Sequence, residues 1–564
     1  MRRNYVPTDF KISDWESLKP YFIELSERDI QSADELYKWF LDRSELESIV
    51  SEDQAWRYIK MTCDTTNKEL SDAFNFFVSK ISPEMAPYSN SLDKKALDSP
   101  FLNDLKDKEG FDIIIKLLKK DKDIYRDDNV PLFSEIEQKA HQFGAISGAM
   151  TIQWEGKELT LQQASDFLLK PDRQLRESVW KLIQERRYQE KDALNDLYTE
   201  LIGMRQKVAQ NAGFENFRDY MFVAIGRFDY NKEACYDFHE SIKEVVVPIL
   251  KEFAQDRIKG LKIDSLRPWD LAVNYASDKV LKAFEDGNDL VDKTIVVFGK
   301  IDSYLGNCIK TMKEMNHLDV MSRKGKAPGG YNYPLDETGV PFIFMNATQS
   351  LRDLVTMVHE GGHALHSFVT ADLPLNTFKH PTSEVAELAS MSMELISMEY
   401  WDVFFSNRDD LIRAKKEHLE SVIQTLPWVA TIDKFQHVLY ENPNHTLEER
   451  EQMWLNSFLP YSNPEVNWDT LEKYRNVTWQ KQLHLFEVPF YYIEYGMAQL
   501  GAIAVWKKYK EDKVTGYKNY KAALELGYKK SIPEIYKTAG IKFDFTKEYI
   551  KELMEFVLNE YKSI

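Results

Sequence analysis

No stretch of about 18 apolar residues occurs in this 564-residue chain, so nothing in it reads as a membrane-spanning helix. The first ten residues, Met1 to Phe10, carry two arginines but no apolar core, and do not read as a secretory leader. Cysteine is scarce. Cys63, Cys235 and Cys308 are odd in number, lack metal-binding spacing and offer no disulfide framework, which fits reduced thiols and a cytoplasmic protein. None lies near the motif described below, so a thiol protease is not expected. Positive charge is in deficit: 73 basic against 91 acidic residues leave a net charge of −18, which disfavours nucleic acid and anionic membranes as partners. Glycine and proline are sparse too, at 22 and 20, and there is no internal repeat, low-complexity tract or flexible linker.

What is present is helical periodicity. Apolar residues recur every three to four positions through 192–212, 230–261 and 411–439, while strand-like runs are short and few. Hydrophobic residues at 43% with charged residues at 29% describe an ordinary globular chain, long enough for two or more sizeable cores. The expectation is a mainly α protein with an N-terminal helical lobe over 1–200, a soft boundary near 200, and a catalytic region over 201–564.

Chemistry concentrates in His359-Glu360-Gly361-Gly362-His363. On a helix a four-residue step turns the chain by about 400° and advances about 6 Å, so both imidazoles emerge on one face and can share one tetrahedral Zn²⁺. Glu360, about 100° further round, is placed to take a proton from a water activated by the metal, as a general base. Ser350 and Asp353 resemble a capping box, and Leu351, Leu354, Val355, Val358, Leu365, Phe368 and Val369 form an apolar stripe through the motif. Two interior glycines cost such a helix about 1 kcal/mol each, which calls for close approach of substrate or of a neighbouring helix. Four of the eleven histidines, His359, His363, His366 and His380, fall within 22 residues.

A catalytic zinc needs a third protein ligand and an open position. Val369 occupies the place where an extended zincin motif would put a third histidine, which excludes that arrangement. A second helix is expected over 383–396, with Glu384, Glu387 and Glu394 on one flank, one as a ligand and another accepting from a histidine N–H. Spacing leaves the choice among them open.

Val358 to Phe368, followed by Val385 to Glu394, resembles the M3 metallopeptidases, in particular the oligoendopeptidase F and Pz-peptidase branch. The resemblance implies one Zn²⁺ per chain held by His359, His363 and Glu387, with Glu394 behind the ligands. It also implies two helical lobes enclosing a deep substrate channel, with a small β-sheet beside the zinc helix. His366 is expected behind the ligands or lining the cleft. Phe486 to Gly501 is similar to the branch's tyrosine-rich segment, where a phenol can stabilise the oxyanion formed on amide attack. Tyr495 and Tyr492 rank first for that role, with Tyr491 and His484 beside them. Upstream, the glycine- and proline-rich loop 323–335 precedes a run over 340–346 that reads as an edge strand able to pair with an extended peptide. Gly329, Gly330 and Phe344 are then candidates to contact or close over substrate.

Together these readings describe a zinc-dependent oligoendopeptidase cutting internal bonds of short unstructured peptides, with Glu360 as general base. The alternatives are an exopeptidase that releases C-terminal dipeptides and a non-catalytic peptide-binding protein that keeps the metal site. Oligopeptides are the expected partners; the sequence leaves the oligomeric state undetermined.

Overall fold

The computed structural model describes residues 3–277, 279, 281–327 and 329–564. Its described residues are mainly helical, with two small sheets. Two compact units share the chain: one comprises Met1–Asp123, Leu281–Ala414 and Ala498–Phe543, the other Ile124–Val280, Lys415–Met497 and Asp544–Ile564.

The first unit includes, after a shorter helix over Trp15–Glu27, a long helix, α1 (Ala33–Cys63), started by Ser32, whose side chain accepts from the Glu35 N–H, and by two acidic residues in its first turn. Leu36, Trp39, Phe40, Leu46, Ile49 and Val50 are buried in a core that also takes in Phe111 and Leu118. The second unit contributes a hairpin, β1 (Thr151–Trp154) and β2 (Lys157–Thr160), and then α2 (Lys232–Val245), capped by Asn231. Cys235, Phe238, His239 and Ile242 form the buried face of α2, at the three-to-four spacing of an inward stripe. The boundary expected near residue 200 falls inside the helix Lys191–Asn211, whose Leu197, Tyr198, Leu201 and Ile202 belong to the main core of the second unit. The chain instead passes between units several times, because each core is assembled from segments distant in sequence.

The site-bearing part of the first unit begins with α3 (Gly287–Ile301), followed by β3 (Leu318–Met321), β4 (Tyr331–Tyr333) and β5 (Phe342–Ala347). The sheet order is β3-β5-β4, with β3 parallel and β4 antiparallel to β5. This corrects one expectation: the run over 340–346 supplies the central strand. Pro341 stands just before β5, so its missing N–H costs no ladder bond. The edge strands are β3 and β4, the latter from the preceding loop, which contains Pro328 outside the described residues. Phe344 is also not a substrate-facing residue. It is fully buried, stacked on Tyr331 at 4.8 Å between ring centroids, in a cluster with Ala55 and Ile59 of α1.

Helices α4 (Leu351–Thr370) and α5 (Ser383–Ser397) follow. Next, α6 (Arg408–Glu441) starts in the first unit and belongs to the second from Lys415 onward, while α7 (Tyr492–Glu511) does the reverse at Ala498. No helix among the described residues is long and apolar enough to cross a membrane.

Candidate metal centre

Helix α4 begins where the sequence places its cap. The Ser350 side chain accepts from the Asp353 N–H at 3.2 Å, and the Asp353 carboxylate accepts from the Ser350 and Thr348 N–H groups, each at 2.8 Å. Two turns on, His359 and His363 project together, their ring centroids 4.9 Å apart and nearly perpendicular.

The interior glycines explain how α5 comes so close. A Cβ on Gly362 would stand 2.6 Å from both the Ala389 carbonyl oxygen and Ser390 Cα of α5, and one on Gly361 would meet the Phe298 ring of α3 at 2.5 Å. The bare backbone therefore serves helix–helix contact, and this contact carries the α5 carboxylates to the histidines.

Of the three glutamates on α5, Glu387 joins the histidines. Its Oε2 lies 3.5 Å from His359 Nε2 and 3.9 Å from His363 Nε2. The three ligand atoms of His359, His363 and Glu387 all fall within 4.8 Å of one another. Glu394, two turns later, accepts from His359 Nδ1 at 2.6 Å, which turns Nε2 of the same ring to Glu387. Glu384 is buried outside this cluster. Ser390 Oγ donates to Glu387 Oε2 at 3.1 Å, and the Ala386 backbone hydrogen-bonds the His363 ring.

The electrostatics suit a cation. Burial works against a charge on His359, but the Glu394, Glu387 and Glu360 carboxylates outweigh it and hold its pKa up at about 10. Burial pushes the Glu360 carboxyl up to about 7, with His359 and the Asn332 backbone N–H opposing. Two imidazole nitrogens and one carboxylate oxygen form a donor set suited to a divalent transition metal. The side chains of His359 and His363 remain 22% and 19% exposed, so one side of the cluster is open, unlike a closed structural site.

His366, one turn past His363, is buried, and its Nε2 has no hydrogen-bond partner; burial lowers its pKa to about 4. His380 pairs with Asp336 at 3.1 Å. Gly329 and Gly330 lie on a tethered loop. Asn346 Nδ2 donates to the Gly329 and Ala327 carbonyls, and the buried Lys326 ammonium bonds the Asp319 carboxylate and the Met321 carbonyl. The backbone N–H of Asn332 on Glu360 is a contact that sequence reasoning missed. Its only signal was the short Tyr-Asn-Tyr run at 331–333.

The tyrosine-rich segment lies in the second unit up to Met497. There Tyr491, Tyr492 and Tyr495 surround His484, with ring centroids between 4.9 and 6.2 Å from it, and the Tyr495 hydroxyl is 3.5 Å from His484 Nε2. Burial raises the Tyr492 phenol to about 12 and lowers His484 to about 4, so both are neutral near pH 7.

Residues 167–555 match the model of Peptidase family M3, and residues 6–124 match that of the Peptidase M3 N-terminal domain. The chain belongs to peptidase family M3. An oligoendopeptidase F homolog of Borreliella burgdorferi is 22% identical to this M3 peptidase over 524 residues, 89% of this chain and 86% of that one. Oligopeptidase PepF of Bacillus subtilis is 22% identical over 388 residues, 68% of this chain but only 56% of that protein. Among solved structures, Pz peptidase A with an inhibitor superposes with a TM-score of 0.91 at 25% identity, covering 99% of each chain. A putative oligoendopeptidase F gives 0.90 at 25% identity, over 99% of this chain and 98% of the other. The M3 peptidase is thus a metallopeptidase of the oligoendopeptidase F and Pz-peptidase branch.

Proposed function

We propose that this M3 peptidase is a Zn²⁺-dependent oligoendopeptidase that hydrolyses internal bonds of short unstructured peptides. The observation that carries the reading is the convergence of His359, His363 and Glu387 with a neighbouring buried glutamate, Glu360, on an open-sided cluster. His359, His363 and Glu387 would hold the ion, and Glu394 keeps the His359 ring turned to it. When bound, the ion would polarise the scissile carbonyl, lower the pKa of water and favour the ionised form of Glu360.

The chain's own groups do the rest. Glu360 accepts the proton of the attacking water and delivers it to the leaving amine. Its carboxylate is steadied by the Asn332 N–H on edge strand β4. The unpaired side of β4 offers backbone groups to an extended peptide without demanding particular side chains. The resemblance of the tyrosine segment supports Tyr495 or Tyr492 as the phenol donor to the oxyanion. Three cysteines with no disulfide among them support residence in the cytoplasm.

The test is mass spectrometry of fragments from peptides blocked at both ends and graded in length, incubated with zinc-loaded protein. Internal cuts that fade for long or folded substrates are expected. Stepwise trimming of unblocked controls alone would instead favour the C-terminal exopeptidase, and silence on both would favour the binding-protein reading.

A further inference from the structure

A second cluster of metal-ligating side chains lies wholly in the second unit. It is built from two pairs at the same four-residue helical spacing as His359 and His363: Cys235 and His239 on α2, Asp433 and His437 on α6. Helix-borne pairs of this kind projecting between facing helices are a recurrent way of building a metal site. The ligand atoms of Cys235, Asp433 and His437 lie within 4.8 Å of one another. All are interior: Cys235 and Asp433 are 0% exposed, His437 1% and His239 2%.

The hydrogen bonding is incomplete where a ligand would be received. His239 Nε2 is 2.8 Å from Asp433 Oδ2 and holds the carboxylate. His437 Nε2 pairs with the same oxygen at 3.2 Å. His437 Nδ1 and Asp433 Oδ1 have no hydrogen-bond partner, although both atoms are buried. Buried polar atoms ordinarily find partners, and two orphans on two adjacent side chains are a substantial cost if nothing joins them. The surroundings cannot help: the rings of Tyr236, Phe490 and Phe222 stand 5.1, 5.5 and 5.8 Å from the His437 ring.

We propose that Cys235, Asp433 and His437 form a second, fully buried site for a divalent transition-metal ion of the zinc class, with His239 orienting Asp433. The donor chemistry fits. A thiolate, a carboxylate and an imidazole suit such an ion, and binding displaces the Cys235 proton, so the two anionic ligands neutralise the ion's charge inside an aromatic wall. The role is structural, since the cluster has no exposed side. It ties α2 to α6 within the second unit.

The site contains sulfur and the His359 cluster does not, so one spectroscopic signature separates them. The full-length protein is produced with cobalt as the supplied transition metal and its near-ultraviolet absorption recorded. A sulfur-to-cobalt charge-transfer band is expected, retained in the His359→Ala variant and lost in Cys235→Ser, a nearly isosteric change. Elemental analysis should find about two metal equivalents in the wild type and about one in either variant. A wild type with no sulfur band and a single equivalent of metal would overturn the proposal, leaving the cluster as a buried polar group held by the His239–Asp433 hydrogen bond. Because the readouts are absorption and metal content, failure here is distinct from failure of the peptidase reading.

Discussion

His359 and Glu394 are joined by a 2.6 Å hydrogen bond through Nδ1, and this bond decides which nitrogen of the ring is offered to Glu387. In the proposed metallopeptidase, Glu394 would therefore act on the bound ion through the histidine. Glu394→Gln keeps a hydrogen-bond acceptor but loses the charge, and Glu394→Ala loses both. Metal affinity is expected to fall roughly 10–100-fold for the alanine variant and less for glutamine. Competition with a chelator of graded concentration measures it; equal affinity for all three proteins would remove Glu394 from this role.

Glu387→Ala is expected to leave the His359 cluster without bound metal, whereas Glu384→Ala keeps it, since only Glu387 lies within reach of both histidines. Metal content at this cluster, read alongside the circular dichroism of each variant, checks the assignment. The reverse result would shift the third ligand by one helical turn.

Glu360→Gln preserves size and burial and removes the proposed base. A fall in kcat on the order of 10²–10⁴-fold, with metal content and melting temperature unchanged, is expected. Near-native turnover would reassign the proton transfer.

The two glycines of the motif should respond differently to alanine. At Gly362 the new Cβ meets backbone of α5 at 2.6 Å, and backbone cannot step aside; at Gly361 it meets a phenylalanine ring. Overpacking of this kind costs about 1–3 kcal/mol, and the Gly362→Ala loss should be the larger, with metal binding weakened as α5 is pushed away. Urea denaturation of the two variants, together with their metal content, tests the order.

Asp319 supplies a pH prediction away from the metal. Burial raises its pKa, but hydrogen bonds from Arg323 and Lys326 outweigh that and hold it at about 2, below the ordinary 3.8. A depressed carboxylate contributes stability that is fully present above the unfolded value and disappears as pH falls through the folded one. The stability gap between wild type and Asp319→Asn should therefore be full at pH 7 and narrow between about 4 and 2. Denaturation at pH 7 and at successively lower pH reads it; a gap independent of pH would show that the pair contributes packing alone.

The zinc-type helix was legible in the sequence because each of its signals is local. A cap at Ser350, an apolar stripe and a four-residue histidine spacing follow from helical geometry, and α4 realises them. The mainly α class was legible for the same reason. The choice of Glu387 over Glu384 came from family resemblance, since residues three apart on one helix flank have equivalent spacing, and the approach of α5 to Gly362 shows why one of them meets the histidines. Phe344 and the central position of β5 were misread because Pro341 fits a strand start as well as an edge, and a strand's own residues do not reveal which neighbours it will gain.

The sequence by itself determined the local chemistry: the helix that carries His359, Glu360 and His363, and the peptidase family that this pattern marks. Tertiary structure alone decided what meets what. Cys235 has no metal-binding spacing in the chain, and Asp433 and His437 sit in a helix that reads as core, yet packing of α2 against α6 brings all three together across about two hundred residues. Helical periodicity fixes the face on which a side chain emerges, whereas its partner from a distant segment is chosen by burial and close packing of the whole unit.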